Sequence, residues 1–536
     1  MSDAPAGLFL GQSDAAQPEA LLFHRANRHG VVAGATGTGK TVTLQIMAQG
    51  FSDAGVPVFC ADVKGDLSGI SQVGTPNEKL IARATEMGLT LTPRAAPTVF
   101  WDLYGQKGHP IRTTVSEIGP VLMSRMLGLN EVQEGVMTVV FHIADKEGLL
   151  LLDLGDLRSL LVYVGENAER IGREVGNVAP ASIAAIQRAL LQLEQQGGDA
   201  FFGEPALKLE DMIRVGLDGR GQVNVLDSTR LMNSPRLYGA FLLWLLSELF
   251  EQLPEVGDPD RPRLVFFFDE AHLLFDDAPR ALLDKVEQVV RLIRSKGVGV
   301  YFVTQNPADI PDSVLAQLGN RIQHALRAYT PSEQKGLKAA SQSFRANPAF
   351  DTAEAIQGLG VGEALVSVLD EKGAPTVVAR TKIRPPASRL GPATEAERAA
   401  VMAASPVRGL YDQTLNRESA EEILAARHAA SDRAETQARA QSDAAKAAEA
   451  QAKSNEKAVR ADVRERARTT PRARTSNRQT PMEALTKSVL RTAGSTLTRE
   501  LLRGLLGGLK RPRPWPRPCS NSRASTASSS APTMCR

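Results

Sequence analysis

The chain has 536 residues and a mass of 57.6 kDa, and its residues are 43% hydrophobic and 23% charged. This composition excludes a collagen-like chain, a disulfide miniprotein and a wholly disordered chain, and it allows a sizeable core. The net charge of +3 hides an asymmetry, because residues 431–536 hold 22 Lys and Arg against nine Asp and Glu, a local charge of +13, whereas residues 1–430 carry −10. A basic tail on a weakly acidic globular part indicates an appendage for an anionic partner.

Cysteine usage and hydropathy indicate a cytoplasmic protein without a membrane span. Cys60, Cys519 and Cys535 are too few and too badly spaced for a disulfide framework or a zinc site, and the amino terminus lacks the pattern of a secretory signal. The apolar stretches 149–164 and 241–253 are interrupted by charged residues, so neither offers about 20 clean apolar residues.

The first elements in the chain form a strand, helix, strand pattern. Residues 29–33 are a short β-branched run, residues 40–54 carry apolar side chains at helical spacing from Val42 onward, and residues 57–61 are a second buried strand. Short connections between them predict a right-handed βαβ unit and therefore a parallel sheet.

Residues 114–213 change character, because Leu, Ile and Met recur at helical spacing with almost no strand signals. We interpret this stretch as a helical insertion, after which the sheet resumes. The later predicted elements are strands at 222–226, 263–269, 299–304 and 321–326, helices at 235–253 and 279–296, and an edge pair at 363–369 and 376–381.

The carboxyl-terminal part has a different composition. Residues 393–462 are dominated by Ala, Glu, Arg and Gln, which favours helix but offers too little apolar surface for a core. The predicted organisation is an α/β domain in two parts, residues 1–113 and 214–390, around an insertion at 114–213, followed by a helical segment and linker at 391–480, an amphipathic helix at 481–511 and a disordered basic tail at 512–536.

A glycine-rich turn links the first predicted strand to the first predicted helix. Residues 34–41 read Gly-Ala-Thr-Gly-Thr-Gly-Lys-Thr and fit the phosphate-loop pattern G-x-x-x-x-G-K-[ST]. Glycine dihedrals let backbone N–H groups converge on a phosphate, Lys40 is expected to reach the β- and γ-phosphates, and Thr41 to ligate Mg²⁺. The predicted nucleotide-binding residues are Gly34, Ala35, Thr36, Gly37, Thr38, Gly39, Lys40, Thr41, Val42 and Asp62.

Two carboxylates end the strand at 264–268, whose five apolar residues predict burial on both faces. Ligands of open α/β sheets bind at such carboxyl ends. We therefore assign Asp269 to Mg²⁺ and Glu270 to polarising the attacking water, so ATP and Mg²⁺ are the expected cofactors.

Two more polar residues end neighbouring predicted strands. Gln305 closes the strand at 299–304, and its amide could hydrogen-bond both the γ-phosphate and the lytic water. Asp62 ends the strand after the phosphate-loop helix and is expected to join the nucleotide or the metal shell at the same edge.

The combined motifs resemble the HerA-like ATPases of the HerA–FtsK superfamily, with the bacterial YjgR-type branch as the closest pattern. The matching segments are Ala-Asn-Arg-His-Gly at 26–30, the phosphate loop, Asp-Val-Lys-Gly-Asp-Leu at 62–67, Asp-Glu-Ala-His at 269–272 and Thr-Gln-Asn-Pro at 304–307. They occur in the family's order, and the resemblance covers roughly residues 7–390.

The resemblance implies a RecA-like P-loop fold that assembles as a hexameric ring and translocates DNA, most readily double-stranded DNA. In such rings a neighbouring subunit inserts an arginine beside the transferred phosphate. By position in the motifs, the alternatives are Arg28, Arg291 and Arg294, with Arg321 ranked lower. About 33 residues precede the phosphate loop, fewer than the small β-barrel of archaeal HerA needs, and a nuclease or other protein partner stays open.

Two functions from different classes fit these residues. One is an ATP-driven DNA motor, a translocase or helicase, and the other is a P-loop ATPase that acts on a protein partner as an assembly or secretion motor. The basic tail does not decide between them, because its charges are spread among Ala, Thr and Pro with Trp515 as its single aromatic residue.

Overall fold

The computed structural model describes residues 7–275 and 280–469. The predicted amphipathic helix at 481–511 and the basic tail at 512–536 lie outside the described residues, as does most of the predicted linker. Eleven strands of the described part form one sheet in the order β2-β1-β11-β10-β9-β3-β8-β7-β4-β6-β5. These strands are β1 (Gly7–Ser13), β2 (Pro18–Leu22), β3 (Gly30–Ala33), β4 (Val58–Asp62), β5 (Thr98–Trp101), β6 (Val223–Asp227), β7 (Leu264–Phe268), β8 (Val298–Thr304), β9 (Asn320–Gln323), β10 (Glu363–Ser367) and β11 (Ala379–Ile383).

The strands from β9 through β5 in that order are all parallel, whereas β10, β11, β1 and β2 pair antiparallel. The prediction of a mainly parallel α/β sheet is therefore confirmed. The strands β7 and β8 are neighbours, in register from Leu264 opposite Val298 to Phe268 opposite Phe302. Consequently the residues that follow these two strands meet at one edge of the sheet.

Helices connect the parallel strands and cover both faces of the sheet. The helices of the described residues are α1 (Lys40–Asp53), α2 (Glu78–Glu86), α3 (Val115–Met126), α4 (Glu131–Glu147), α5 (Leu154–Glu166), α6 (Ala168–Val175), α7 (Pro180–Gln195), α8 (Pro235–Gln252), α9 (Arg280–Ile293), α10 (Asp312–Leu315), α11 (Pro331–Gln342), α12 (Thr352–Gln357), α13 (Glu395–Ala403) and α14 (Ala420–Thr469). Helices α3 to α7 fall in the range predicted for the helical insertion, and the predicted domain limits stay predictions.

Alternate side chains of the buried strands point to two different cores, as the period of two in a strand requires. On β7, Phe266 and Phe268 pack with the insertion helices, α8 and α9. Val265 and Phe267 point to the other face and pack with α1 and the amino-terminal strands. Both faces of β7 are thus covered, which explains why its sequence is continuously apolar rather than alternating.

The antiparallel side of the sheet corrects one prediction. The strands β10 and β11 do pair with each other, but they are interior strands, because β1 pairs with β11 and β2 lies beyond β1 at the edge. Sequence reasoning missed β1 and β2. Gly7 and Gly11 weaken the strand signal of β1, and Gly11 approaches the backbone of Lys382 so closely that an added Cβ would lie 2.0 Å from its carbonyl oxygen. The five residues of β2 include Pro18 and Glu19, which are uncommon in strands.

Residues between α13 and α14 also differ from expectation. The Ala, Glu and Arg-rich segment was expected to contribute nothing to a core, yet Val407 and Tyr411 are buried in the main cluster, and the Tyr411 hydroxyl donates to Asp211 at the end of the insertion. The chain divides into two compact units, residues 1–436 and 437–536. The described part of the second unit is helical, exposed and supported by ion pairs such as Lys453 with Glu449. Among the described helices, none has the length and apolar character needed to cross a bilayer.

Candidate functional site

The phosphate loop lies where it was predicted, between β3 and α1, at the carboxyl edge of the parallel strands. Gly34, Gly37 and Gly39 all have positive φ, at 152°, 79° and 114°. A Cβ on Gly34 would lie 2.5 Å from the Cβ of His324, whereas nothing lies within 4 Å of one on Gly37. Gly34 is therefore required for both its conformation and the lack of space, whereas Gly37 is required for its conformation alone. The open space at Gly37 leaves room for a phosphate.

Lys40 is buried at the first position of α1 and turns back over the loop. Its Nζ donates to the carbonyl oxygens of Gly34 at 2.5 Å and Ala35 at 3.2 Å. Burial, with the charge of Lys64, holds the pKa of Lys40 below its ordinary value, and Glu270 and Asp269 oppose that shift. A phosphate would replace the two carbonyl acceptors with a stronger, charged one.

The two carboxylates after β7 lie together at the same edge, as predicted. Asp269 and Glu270 are 7% and 4% exposed. Glu270 adopts the left-handed region, with φ 47° and ψ 52°, which is uncommon for a residue with a Cβ and typical of functional sites.

Glu270 is held by three side chains. Lys64 Nζ lies 2.5 Å from its Oε1, Gln305 Nε2 donates at 3.2 and 3.3 Å, and His272 Nδ1 lies 3.3 Å from its Oε2. Burial acts to raise the pKa of Glu270, but the hydrogen bond and charge of Lys64, aided by Gln305 and His272, lower it below the ordinary value. Glu270 is therefore an ionised acceptor.

Gln305 joins that carboxylate to the phosphate loop. Its Oε1 accepts from Thr36 Oγ1 at 3.4 Å while its Nε2 donates to Glu270. Gln305 therefore contacts both the loop and the acidic strand end, and its role as a sensor of the γ-phosphate stays a prediction.

The sequence predicts a nucleotide or metal-shell role for Asp62, but in the structure Asp66, rather than Asp62, contacts Thr41 of the phosphate loop. Both Asp62 carboxylate oxygens accept backbone N–H groups, from Gly65 at 2.8 Å and Leu67 at 3.1 Å, so this side chain shapes the turn. Asp66 Oδ2 instead accepts from Thr41 Oγ1 at 3.3 Å, and its Oδ1 is buried without a hydrogen-bond partner. Asp66 and Lys64 belong to the Asp-Val-Lys-Gly-Asp run, and only their placement shows that they reach the site.

The charges at this edge fit a magnesium ion. Burial, with the charge of Asp66, raises the pKa of Asp62 to about 7, and burial, with the charge of Glu270, raises that of Asp269 to about 6. A cation would favour the ionised forms. Thr41, Asp269 and the orphaned oxygen of Asp66 are hard oxygen donors, and Mg²⁺ is held in such sites by one or two carboxylates together with substrate phosphates. Among the described residues, no group of three or more His, Cys, Asp or Glu side chains is arranged to hold a metal ion by itself.

His324, which sequence reasoning did not select, lies directly beneath the phosphate loop. It follows β9, is fully buried, and its Nε2 lies 2.9 Å from Thr43 Oγ1 on α1. Burial lowers the pKa of His324 to about 4, so the ring is neutral. The Cβ of His324 also lies 2.5 Å from the place of a Cβ on Gly34, so this residue packs closely against the start of the loop.

The arginines predicted as fingers are not at this edge. Arg28 precedes β3 and Arg294 precedes β8, so both lie at the amino ends of the parallel strands, where they contact Asp258 at 2.5 and 3.6 Å. Arg25 lies 3.8 Å from the same carboxylate. Arg291 is exposed on α9 and pairs with Glu287.

Arg321, the lower-ranked alternative, is a structural residue in this arrangement. Its guanidinium group donates to the carbonyl oxygens of Leu318, Ser343 and Leu315, which ties the loop before β9 to the end of α11.

A family model described as "Helicase HerA-like C-terminal" matches residues 8–513, nearly the whole chain. The chain belongs to the HerA-like helicase family. The resemblance inferred from the motifs is thereby confirmed, and so is the RecA-like P-loop fold class. This HerA-like chain accordingly has a P-loop fold, with its phosphate loop and the acidic end of β7 at one edge of the sheet.

Two curated relatives are helicases by name. The HerA-like chain is 21% identical over 357 residues to the DNA double-strand break repair helicase HerA of Sulfolobus acidocaldarius, covering 65% of this chain and 63% of that protein. It is 28% identical over 155 residues to the probable helicase MJECL08 of Methanocaldococcus jannaschii, covering 27% of this chain and 28% of that protein. The match thus spans less than two thirds of either relative.

Solved structures of similar fold include the plasmid coupling protein TrwB in complex with ADP and Mg²⁺, with 14% identity and a TM-score of 0.49 over 72% of this chain and 92% of that one. Another is VirB4 of Thermoanaerobacter pseudethanolicus, with 15% identity and a TM-score of 0.47 over 71% of this chain and 97% of that one.

Proposed function

We propose that this protein is an ATP-driven DNA motor, a translocase or helicase, that works as a hexameric ring. The observation that carries the proposal is the bridge made by Gln305, which links the acceptor Glu270 to Thr36 of the phosphate loop. Such a link allows the state of the nucleotide to change the position of the group that activates water. That coupling is what distinguishes a motor from a simple nucleotide-binding protein.

The residues of the site have separable roles in this proposal. Lys40 and the backbone of the phosphate loop bind the β- and γ-phosphates, and Thr41 and Asp269 would hold Mg²⁺, with Asp66 supporting Thr41. A bound Mg²⁺ neutralises charge that develops on the phosphates. Glu270 orients the attacking water and accepts its proton, and Gln305 positions that water against the γ-phosphate.

Lys64 gives the site a resting arrangement. Its ammonium group lies 2.5 Å from Glu270, so the acceptor is held by an ion pair as long as no phosphate attracts the lysine. In our proposal a bound γ-phosphate competes for Lys64 and Gln305 together, and Glu270 becomes available to water. Hydrolysis is therefore expected to be slow until both contacts change.

Arginine supplied by a neighbouring subunit completes the proposed mechanism. Arg28 and Arg294 share one carboxylate, that of Asp258, with Arg25, so this cluster carries more positive than negative charge. Arg291 has its own acidic partner, Glu287. We therefore place the finger at Arg28 or Arg294, where unbalanced positive charge can meet the phosphates of the next subunit.

The DNA substrate is proposed from family membership and from the relatives named as helicases. The test is the rate of ATP hydrolysis with no nucleic acid, duplex DNA, single-stranded DNA or RNA, with the mass measured in the same buffer with and without ATP. We expect DNA to stimulate hydrolysis and ATP to favour the ring. Equal rates in all four conditions, with a stable protein partner recovered instead, would support the protein motor and remove the DNA motor.

A further inference from the structure

A short stretch beside the ATPase site differs from the rest of the acidic part of the chain. Tyr329, in the loop between β9 and α11, is 82% exposed, whereas every other tyrosine of the described residues is buried or half-buried. Its backbone N–H donates to Glu333 Oε2 at 2.9 Å, so the loop is fixed to the first turn of α11. An aromatic ring of this size is thus displayed to solvent on an ordered backbone.

Three cations accompany the ring. Arg327, Lys335 and Lys338 are all exposed, and none of them forms an ion pair with a carboxylate in residues 7–275 or 280–469. Lys335 and Lys338 are three residues apart, so they lie on one side of the helix. Glu333, the acidic residue of α11, is used in the capping box with Thr330.

Arg327, Tyr329, Lys335 and Lys338, here called the α11 surface, are exposed side chains in and just before α11, and they are of the types that bind a nucleic acid strand. Ammonium and guanidinium groups without acidic partners bind phosphates, and an exposed ring stacks on a base. Stacking requires a base whose face is uncovered, which a single strand offers and an intact duplex does not. Binding of this kind does not depend on base sequence, so it requires no side chain that hydrogen-bonds to the edges of the bases.

The position of α11 connects this surface to the site of hydrolysis. Gly336 packs directly on the side chain of Asn306, and a Cβ at Gly336 would lie 2.5 Å from the Asn306 amide. Asn306 is the residue after Gln305. A nucleic acid strand bound to α11 would therefore act, through Gly336 and Asn306, on the segment that carries Gln305, the proposed γ-phosphate sensor.

We propose that the α11 surface binds the phosphates and one base of single-stranded nucleic acid while the motor works. The inference rests on the proposed function and names the segment of this chain that contacts the substrate. It assigns the contact to the acidic globular part, in which it is a local basic exception, and not to the basic tail.

The test measures binding of a fluorescein-labelled oligothymidylate to the full chain, over a series of salt concentrations. We expect Tyr329→Ala to bind about tenfold more weakly, because removing one stacked aromatic ring costs binding on this scale, and Tyr329→Trp to bind like the natural protein. Lys335→Gln with Lys338→Gln should reduce the slope of log affinity against log salt by about 1.4, since each single-strand phosphate contact contributes about 0.7. The matched control is Lys79→Gln with Lys208→Gln, which removes the same charge from two exposed lysines on other segments.

The outcomes separate this inference from the proposed function. Stimulation of hydrolysis by oligothymidylate that is lost in the α11 variants, with the rate in the absence of nucleic acid unchanged, supports the inference. Unchanged binding and stimulation in these variants would overturn it and leave the DNA motor standing. Equal loss of duplex and single-strand binding in Tyr329→Ala would overturn the single-strand assignment, and a natural protein that binds no nucleic acid would remove both proposals.

Discussion

The two edges of the parallel sheet carry opposite imbalances of charge. At the carboxyl edge, Asp62, Asp66, Asp269 and Glu270 gather around Lys64, with Lys40 nearby. At the amino edge, the ion pairs of Arg25, Arg28 and Arg294 within the described residues all involve one carboxylate, that of Asp258. Although burial acts to raise it, hydrogen bonds from Asn27 and Arg28 hold the pKa of Asp258 below its ordinary value.

This contrast indicates which ion would stabilise each edge of the sheet. The carboxyl edge has carboxylates whose pKa values are raised by burial and by one another, so a cation would stabilise it. The amino edge has guanidinium groups that share one acidic partner, so an anion would stabilise it. A ring in which the amino edge of one subunit meets the nucleotide of the next would satisfy both needs, and the following changes test that idea.

The largest expected effect comes from removing the groups that act on the phosphates and the water. Lys40→Ala should abolish binding of a fluorescent ATP analogue, and Glu270→Gln should leave that binding intact but lower turnover by about 10⁴-fold, because it removes the proton acceptor. The measurement is steady-state phosphate release, with the melting temperature showing that both variants are folded. Turnover near the natural value in Glu270→Gln would show that another residue activates the water.

Changes at the amino edge should have the next largest effect. Arg28→Ala or Arg294→Ala, whichever residue is the finger, should lower turnover by about 10³-fold with little effect on nucleotide binding, since the arginine acts on transition-state charge. Arg291→Ala is the matched control, because Arg291 already pairs with Glu287 on the helix surface.

Mixing of subunits decides whether that arginine acts on a neighbour. A Glu270→Gln protein has an intact amino edge, and an arginine variant has an intact carboxyl edge, so mixed rings should regain part of the activity that each lacks alone. If the mixtures are as inactive as their components, the arginine acts within its own subunit, and the amino edge does not contact the nucleotide of the next subunit.

Much of the carboxyl edge could be predicted from the sequence, because its residues follow strands that are recognisable as apolar runs. The phosphate loop, Asp269, Glu270 and Gln305 each lie at the carboxyl end of such a run, and parallel pairing of β3, β7 and β8 brings those ends together. Since the same strand order brings these residues into contact, the apolar runs and the motifs after them are sufficient to predict that they lie together.

The amino edge could not be read in the same way. Arg25, Arg28 and Arg294 precede their strands, and they converge only because Asp258, in a loop without a motif, lies between them. Asp66 and His324 were missed for a related reason, since neither ends a predicted strand and their roles come from contacts with Thr41 and Thr43. Motif reading finds residues fixed by local chain direction and misses residues fixed by packing across the fold.

A buried neutral histidine at each edge predicts a common acid sensitivity. Burial lowers the pKa values of His29, at the amino edge, and His324 to about 4, below the ordinary 6.5, so the unfolded chain takes up protons first as pH falls. Each contribution is complete above about pH 6.5 and is lost towards pH 4, on the order of 3 kcal/mol per residue. The urea midpoint should therefore fall over that range.

Single variants test the two histidines separately. His324→Gln can keep the hydrogen bond to Thr43 without a titrating ring, and His29→Asn can keep the bond from the Val300 N–H in a residue that tolerates positive φ. Each variant should reduce part of the fall in the urea midpoint between about pH 6.5 and pH 4, whereas the exposed control His428→Gln should leave that fall unchanged. An unchanged pH dependence in both variants would show that the rings are not the source.

The smallest expected effect distinguishes two carboxylates of the carboxyl edge. Asp66 contacts Thr41 and keeps one buried oxygen without a partner, so Asp66→Asn should raise the Mg²⁺ concentration needed for half-maximal hydrolysis by about tenfold, with turnover at saturating Mg²⁺ little changed. Asp62→Asn should instead lower the melting temperature, because an amide cannot accept the Gly65 and Leu67 N–H groups with both of its ends. A raised Mg²⁺ requirement in Asp62→Asn alone would return the metal shell to the residue chosen from the sequence, and would leave the unpartnered oxygen of Asp66 without a cation to complete it.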